Sequence, residues 1–226
     1  MLLLWKFFVL GFSALLPLVN PLGSALVFLG LVGNAPIDAY RSLARHIAIN
    51  TIIFLAVIEL VGSSLLSFFG ISLPIMQVSG GIVIAMIGWS LLNQQDSAPS
   101  AEKTSATEPV VTQLEIATLQ EKAFYPYTFP LTAGPGCIVV MLTLSVHAKE
   151  LTVTDTVFAH VGLFIAAVAL SVCVYLCYAY APKIARTVSP STAHGILRVI
   201  AFILFCIGVQ IAWNGLNDLL KTVLQR

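Results

Sequence analysis

Charge is what this chain has least of. Only 9% of its 226 residues are Asp, Glu, Lys or Arg, against roughly 25% in a typical soluble domain. So little charge cannot cover a surface that faces water, and most of this chain must be solvated by lipid. The net charge is +1, which gives no electrostatic footprint for nucleic acid or for an acidic macromolecular partner. Cysteine is scarce too, with four residues. Cys137, Cys173, Cys177 and Cys206 all lie in apolar stretches, where they read as small core residues, not as a disulfide or metal framework. Cys173 and Cys177 are one helical turn apart, with no acid or His close by to complete the four ligands a structural zinc needs. A phosphate-binding Gly-rich loop ending in Lys is missing, which argues against ATP-driven transport by this chain alone. No nucleophile, base and orienting group form a set, so the chain is read as a non-enzyme without cofactors.

What is abundant is apolar sequence: 58% hydrophobic residues and a mean hydropathy of +0.97. A membrane helix needs about 20 mostly apolar residues. Six stretches qualify: Leu4–Val32, Ile47–Phe69, Leu73–Asn93, Phe124–Val146, Val157–Ala181 and Leu197–Leu216. The first is expected to be a retained span and not a cleaved leader, because the apolar run continues through Asn20-Pro21 without a small-residue cleavage site. Asn34-Ala35-Pro36 ends it, Gly70 and Pro74 separate the second stretch from the third, and Pro182 and Pro190 bracket the last loop. Residues 95–122 differ in character. Ser97–Pro109 is rich in Ser, Ala, Thr, Pro and Glu and reads as a flexible linker, and Leu114–Lys122 as a short amphipathic turn. The expected organisation is a three-helix unit over 1–94, the linker, and a second three-helix unit over 123–226.

Two of these spans are interrupted at corresponding places. Pro17-Leu18-Val19-Asn20-Pro21-Leu22-Gly23 breaks the first, and Pro130-Leu131-Thr132-Ala133-Gly134-Pro135-Gly136 breaks the fourth. Pro removes a backbone donor, and in a bilayer no water replaces that bond. Broken helix is therefore tolerated only against protein or a wet cavity. Paired breaks in two halves point to a transporter binding site. An odd number of spans per half makes homologous halves inverted-topology repeats. Aligning the breaks matches Pro17 with Pro130, Leu18 with Leu131 and Gly23 with Gly136, places His46 and His160 near the starts of spans two and five, and puts Gly88 and Gly208 inside spans three and six. The fold class expected is an all-α integral membrane protein of six transmembrane helices, with helices 1 and 4 broken.

A helix restarting after each break presents free N–H groups and a positive dipole end. A zwitterionic amino acid needs donors for its carboxylate and acceptors for its ammonium, and two inverted half-helices supply both. The candidate solute site is Asn20, Pro21, Gly23 and Ser24 with Thr132, Gly134, Pro135 and Gly136. The plainer alternative is two proline kinks with packing glycines. Glu59 is the single acid well inside an apolar span, a functional candidate by default. It is a possible ion-coupling residue, for proton or sodium, or a carboxyl hydrogen-bonded to Ser63 or Asn50. Asn50, Gln210 and Asn214 are expected to bond between helices. His46 and His160 are expected to be wet interfacial residues, Gly62, Gly80 and Gly81 to mark close helix packing, and Trp5, Trp89 and Trp213 to form an interfacial belt.

The eleven Lys and Arg divide by side. Arg41, Arg45, Lys103, Lys122, Lys183, Arg186 and Arg198 share one, and Lys6, Lys149, Lys221 and Arg226 share the other, which places both termini outside.

The run Pro17–Gly23, the run Thr132–Gly136, and Phe69-Gly70-Ile71-Ser72 before Ser79-Gly80-Gly81 resemble the signatures of the MarC family of bacterial integral membrane proteins. The resemblance covers about Leu4 to Leu220. It implies six spans and transport of glycine, alanine and similar neutral amino acids across the bacterial inner membrane. Gln77 stands where the family commonly has Arg, and Ala201 where relatives often carry Gly. The partners expected are a small neutral solute and membrane lipids, with the oligomeric state left open. Efflux of other small molecules including drugs, and a non-transporting membrane scaffold, are the alternatives.

Overall fold

A computed structural model describes residues 2–33, 35–93, 121–149, 152–187 and 190–224. The linker at 95–120, and with it most of the amphipathic turn expected at Leu114–Lys122, lies outside the described residues. Among those described there are helices and no strands. They are α1 (Leu2–Val19), α2 (Pro21–Val32), α3 (Ile37–Phe68), α4 (Leu73–Asn93), α5 (Ala123–Thr132), α6 (Pro135–Lys149), α7 (Val153–Ala179), α8 (Ala181–Thr187) and α9 (Pro190–Leu224). Five stretches are long and apolar enough to cross a membrane, with α1 and α2 counted as one, and six if the bent pair α5–α6 is also one span.

Local chemistry explains the boundaries. Pro36 precedes α3 in extended backbone, and Asp38 sits in the first turn, where the helix dipole favours an acid. α3 thus starts ten residues before the apolar stretch expected at Ile47. Its first turns carry Asp38, Arg41 and Arg45, a polar extension that hydropathy does not register. Gly70, at φ 67, turns the chain between α3 and α4 in backbone that glycine adopts freely. Thr152 caps α7, its hydroxyl accepting from the Asp155 N–H at 3.4 Å. Pro182 does not lie in an open loop as expected. It occupies the first turn of α8, where a missing N–H costs nothing.

Two helix pairs run antiparallel. Arg41, early in α3, lies 5.7 Å from the Tyr180 ring just after α7, while Glu59, late in α3, meets His160 early in α7. In α4 and α9, Gly88 lies against Phe205 and Ala201, Gly81 against Gly208 and Ala212, and Pro74 against Gly215. This second seam is built from small residues. A Cβ at Gly208 would fall 2.7 Å from the Gly81 carbonyl oxygen and 2.8 Å from the Ala85 Cα, so glycine lets the two backbones touch. α1 instead runs parallel to α7, with Leu4 and Phe8 beside Gly162 and Gly11 beside Ala166.

The main buried cluster joins α1 and α2 to α3, α5, α6 and α7. Leu15, Val19, Phe28, Ile47, Leu55, Leu163 and Leu170 are each fully buried there. Outward faces remain apolar, with Ile53, Leu60, Phe68, Phe164 and Val199 exposed, as a lipid-facing surface requires.

Candidate functional site

The first interruption is a single residue. Asn20 stands between α1 and α2 in left-handed backbone, φ 43 and ψ 64, a conformation that Asn tolerates better than most residues. Its N–H still bonds the Leu16 carbonyl at 2.9 Å. Its side-chain Oδ1 accepts from the Gly23 N–H at 3.1 Å, which caps α2. Pro21 follows as the first residue of α2 and is buried, a position where its lost donor is harmless. Ser24 is buried and donates to the Val19 carbonyl at 2.8 Å.

The second interruption is broader. Pro126 and Pro130 lie inside α5, and Tyr125 and Phe129 before them have extended backbone, as the residue before a proline prefers. The Tyr125–Pro126 and Phe129–Pro130 peptide bonds are cis. α5 is wound wide, so that the Ala133 N–H bonds the Thr128 carbonyl five residues back at 2.8 Å. α6 then leaves at 71° to α5.

The two interruptions come together at Ser24 and Leu131. The Ser24 hydroxyl lies 3.5 Å from the Leu131 carbonyl oxygen. Thr132 is fully buried and donates to the Tyr127 carbonyl at 2.6 Å. That uses its one proton, so the Tyr178 hydroxyl, 2.8 Å away, donates to Thr132. Ser24 is a second hydroxyl neighbour of Tyr178. Around this cluster sits an aromatic box. Phe28 stacks on Tyr178 at 4.5 Å between ring centroids, and meets Tyr127 at 5.5 Å and Tyr40 at 5.8 Å edge to face. Phe28, Tyr40, Tyr127 and Tyr178 are all buried, so the hydroxyl cluster is closed off in this arrangement.

The remaining candidates divide. At Gly134 an added Cβ would press on the Pro130 carbonyl oxygen at 3.2 Å, a tight contact with backbone. Gly136 is packed between Leu18 and Ile84, which makes it a contact between α6, α1 and α4. Gly23 is buried at the α2 cap, and Pro135 is exposed at the start of α6. Ser24 and Thr132 are thus brought together, while Asn20 and Gly134 stand on either side of them.

Glu59 is 3% exposed, and its partner is neither Ser63 nor Asn50. Its Oε1 lies 2.6 Å from Nδ1 of His160 on α7. The Ser145 hydroxyl of α6 donates to the Glu59 backbone carbonyl at 2.6 Å. His160 is therefore not a solvated interfacial residue. His46 is exposed and bonds the Ser42 carbonyl at 2.8 Å. Gln210 and Asn214 do not bridge helices. They bond each other along α9 at 2.8 Å, and both are exposed. Gly62 and Gly80 pack on Leu142 and Val139 of α6. Gln77 is buried beside Gly215 in the α4–α9 seam, its Oε1 lacking a hydrogen-bond partner among the described residues.

The sequence pattern did not single out Tyr178, and it pointed to His160 as a wet interfacial residue, not as the partner of Glu59. The signals were present. A Tyr inside an apolar span requires a partner for its hydroxyl, and a buried acid requires a partner for its charge.

A groove of about 920 Å³ runs along α4 and α9, lined by residues including Met86, Trp89, Phe205, Val209 and Trp213. It opens on the exposed face of that helix pair, away from the interruptions. No group of His, Cys, Asp and Glu suited to a metal ion occurs among the described residues.

Apolar helices, a membrane-type small-residue seam and interrupted spans define an integral membrane protein. The model of the MarC family of integral membrane proteins matches residues 5–220. The inner membrane protein MarC of Salmonella paratyphi A is 30% identical over 223 residues, covering 97% of this chain and 98% of that protein. The MarC protein of Escherichia coli O1:K1 is 31% identical over 227 residues, covering 98% and 99%. No solved structure matches. The chain belongs to the MarC family.

Proposed function

We propose that this chain is a secondary transporter of small neutral amino acids, of the glycine and alanine class, working by alternating access. The names of its relatives support an inner-membrane location. α1–α4 and α5–α9 act as two inverted three-span repeats, with both termini on the periplasmic side. The antiparallel pairing of α3 with α7 and of α4 with α9 supports that symmetry.

The observation that carries the reading is the meeting of the two interruptions, with Ser24 reaching the Leu131 carbonyl beneath the Thr132–Tyr178 hydroxyl pair. First turns of helices leave backbone N–H groups without intrahelical partners. The starts of α2 and α6 would hold a solute carboxylate through such groups once the Asn20 side chain gives up the Gly23 N–H that it caps here. The hydroxyls of Ser24 and Thr132, with carbonyls near the breaks, would take its ammonium. Asn20 and Pro21 keep the first break open, Gly134 and Pro135 keep the second open, and Gly23 and Gly136 let helices approach it. Phe28 and the tyrosines around it exclude a large side chain. Glu59 couples an ion to the cycle.

The experiment is counterflow of labelled alanine into proteoliposomes. Asn20→Ala and Gly134→Leu are expected to abolish counterflow at normal expression. Full transport in both variants removes the site. Efflux of larger hydrophobic compounds is a second reading, favoured by the aromatic α4–α9 groove. Unchanged drug susceptibility of a deletion strain removes it.

A further inference from the structure

We propose that Glu59 and His160 together form a proton-binding site, and that the ion coupled to transport is the proton this pair carries. The inference rests on the transport reading above and names its coupling ion. Oε1 and Nδ1 are 2.6 Å apart. That gap holds one proton in a charge-assisted hydrogen bond, and no metal cation fits between the two atoms. Sodium would need several oxygen ligands around an open carboxylate, and here the carboxylate is occupied by a ring nitrogen.

A neutral imidazole already carries one ring proton, so the site proton is the one added to a carboxylate and a neutral ring. With that proton the pair is neutral overall, as carboxylic acid and imidazole or as carboxylate and imidazolium. Releasing the proton leaves one negative charge on a carboxyl group that is 3% exposed. Such a charge is costly in a dry interior. The pair must therefore stay loaded while it is buried and exchange its proton when it is wet. His160 is the more open partner, through which the proton would enter. Its side chain is 19% exposed against 3% for Glu59, and it lies seven residues into α7, about 10 Å along the axis from Val153.

Other ionisable groups nearby are engaged elsewhere or distant. On α6, His147 is exposed and bonds the Thr143 carbonyl. On α7, Asp155 pairs with the Thr152 hydroxyl at the helix start. α5 presents Phe124 and Phe129 to Phe54 of α3. Among the described residues, the titratable group acting on the Glu59 carboxyl is His160.

The link to the solute site is α7 itself. One end of this helix holds His160, and the other holds Tyr178, whose hydroxyl donates to Thr132 at the second break. The two are eighteen residues apart, about 27 Å along one continuous helix. A movement that parts α7 from α3 to open the solute site also breaks the Glu59–His160 contact. Proton exchange and solute exchange then bias the same two-state element.

The test uses full-length protein in liposomes that trap a pH-sensitive dye, with alanine added outside. Wild-type protein is expected to change the lumen pH in response to alanine, and a protonophore to abolish the change. The sign distinguishes co-transport from exchange, and either sign supports the proposal. In Glu59→Gln and His160→Phe, protons moved per alanine taken up are expected to fall by about tenfold or more. This ratio does not depend on how much protein folds. Wild-type alanine uptake without proton movement, or an unchanged ratio in either variant, overturns the proposal. If wild-type protein takes up no alanine, the transport reading fails instead, and proton binding is then read directly. A carboxyl band in pH-difference infrared spectra of the purified protein is expected to vanish in Glu59→Gln and to shift in His160→Gln. A spectrum indifferent to both substitutions overturns the site.

Discussion

Removing the Tyr178 hydroxyl and removing the Thr132 hydroxyl have unequal consequences, although the two groups share one hydrogen bond. In Tyr178→Phe the ring stays stacked on Phe28 at 4.5 Å. Thr132 keeps its own bond to the Tyr127 carbonyl at 2.6 Å. The contacts to Thr132 and Ser24 are lost, but Ser24 keeps its bond to the Val19 carbonyl, so no donor is stranded. Interhelical bonds of this kind contribute about 0.6 kcal/mol on average in a membrane and up to about 1.7. In Thr132→Val the shape is preserved, but the Tyr127 carbonyl loses the hydroxyl that donates to it in a buried place, and the Tyr178 hydroxyl is left with Ser24 alone. Stranding one buried polar group costs about 1–3 kcal/mol and the lost interhelical bond adds about 1 kcal/mol, so this variant should lose about 2–4 kcal/mol. At about 2–4 °C per kcal/mol for a chain of this size, Tyr178→Phe lowers the midpoint of thermal unfolding in detergent by a few degrees, and Thr132→Val by roughly 4–16 °C. The double variant should cost less than the sum, because the shared bond is then removed from both sides. Equal shifts for the two single variants, or strict additivity in the double, would show that Tyr178 does not donate to Thr132.

Gly208→Leu is expected to eliminate properly folded protein, because its Cβ has 2.7 Å to the Gly81 carbonyl oxygen. Gly30→Ala, in α2 with nothing within 4 Å, should be neutral or stabilising by about 0.5–1 kcal/mol. Size-exclusion profiles in detergent distinguish the two outcomes. Asn20→Ala loses both the α2 cap and a residue suited to positive φ, together about 2 kcal/mol. Asn20→Gly keeps the backbone conformation and should cost under about 1 kcal/mol. A glycine variant as unstable as the alanine one would show that the left-handed turn is not what Asn20 supplies.

The sequence was most legible where a single physical rule decides. That the chain is a helical membrane protein followed from the scarcity of charge and the long apolar stretches. α4 runs from Leu73 to Asn93 as the apolar stretch does, since Gly70 and Pro74 bound one side and polar sequence the other. α3 and α9 are longer than their apolar stretches, because hydropathy marks hydrocarbon depth and not helix. Glu59 stood out as a solitary acid, but its partner is 101 residues away, beyond any local pattern. Tyr178 is 46 residues from Thr132 and was invisible for the same reason. Ser24 and Thr132 were named for lying beside the breaks. Their joint burial under Phe28 depends on how α2, α5 and α7 pack, which no spacing rule encodes. Gly136 was named as a site residue, whereas its immediate neighbours Leu18 and Ile84 make it a packing contact.

The central claim is that the meeting point of the two interruptions holds a small neutral amino acid and releases it to either side. Counterflow of labelled alanine in proteoliposomes of the full-length protein tests it most directly. The account expects saturable uptake that unlabelled glycine and alanine compete away and that Gly134→Leu abolishes. Well-folded wild-type protein that shows no counterflow, or a Gly134→Leu variant that transports as well as wild type, would contradict it.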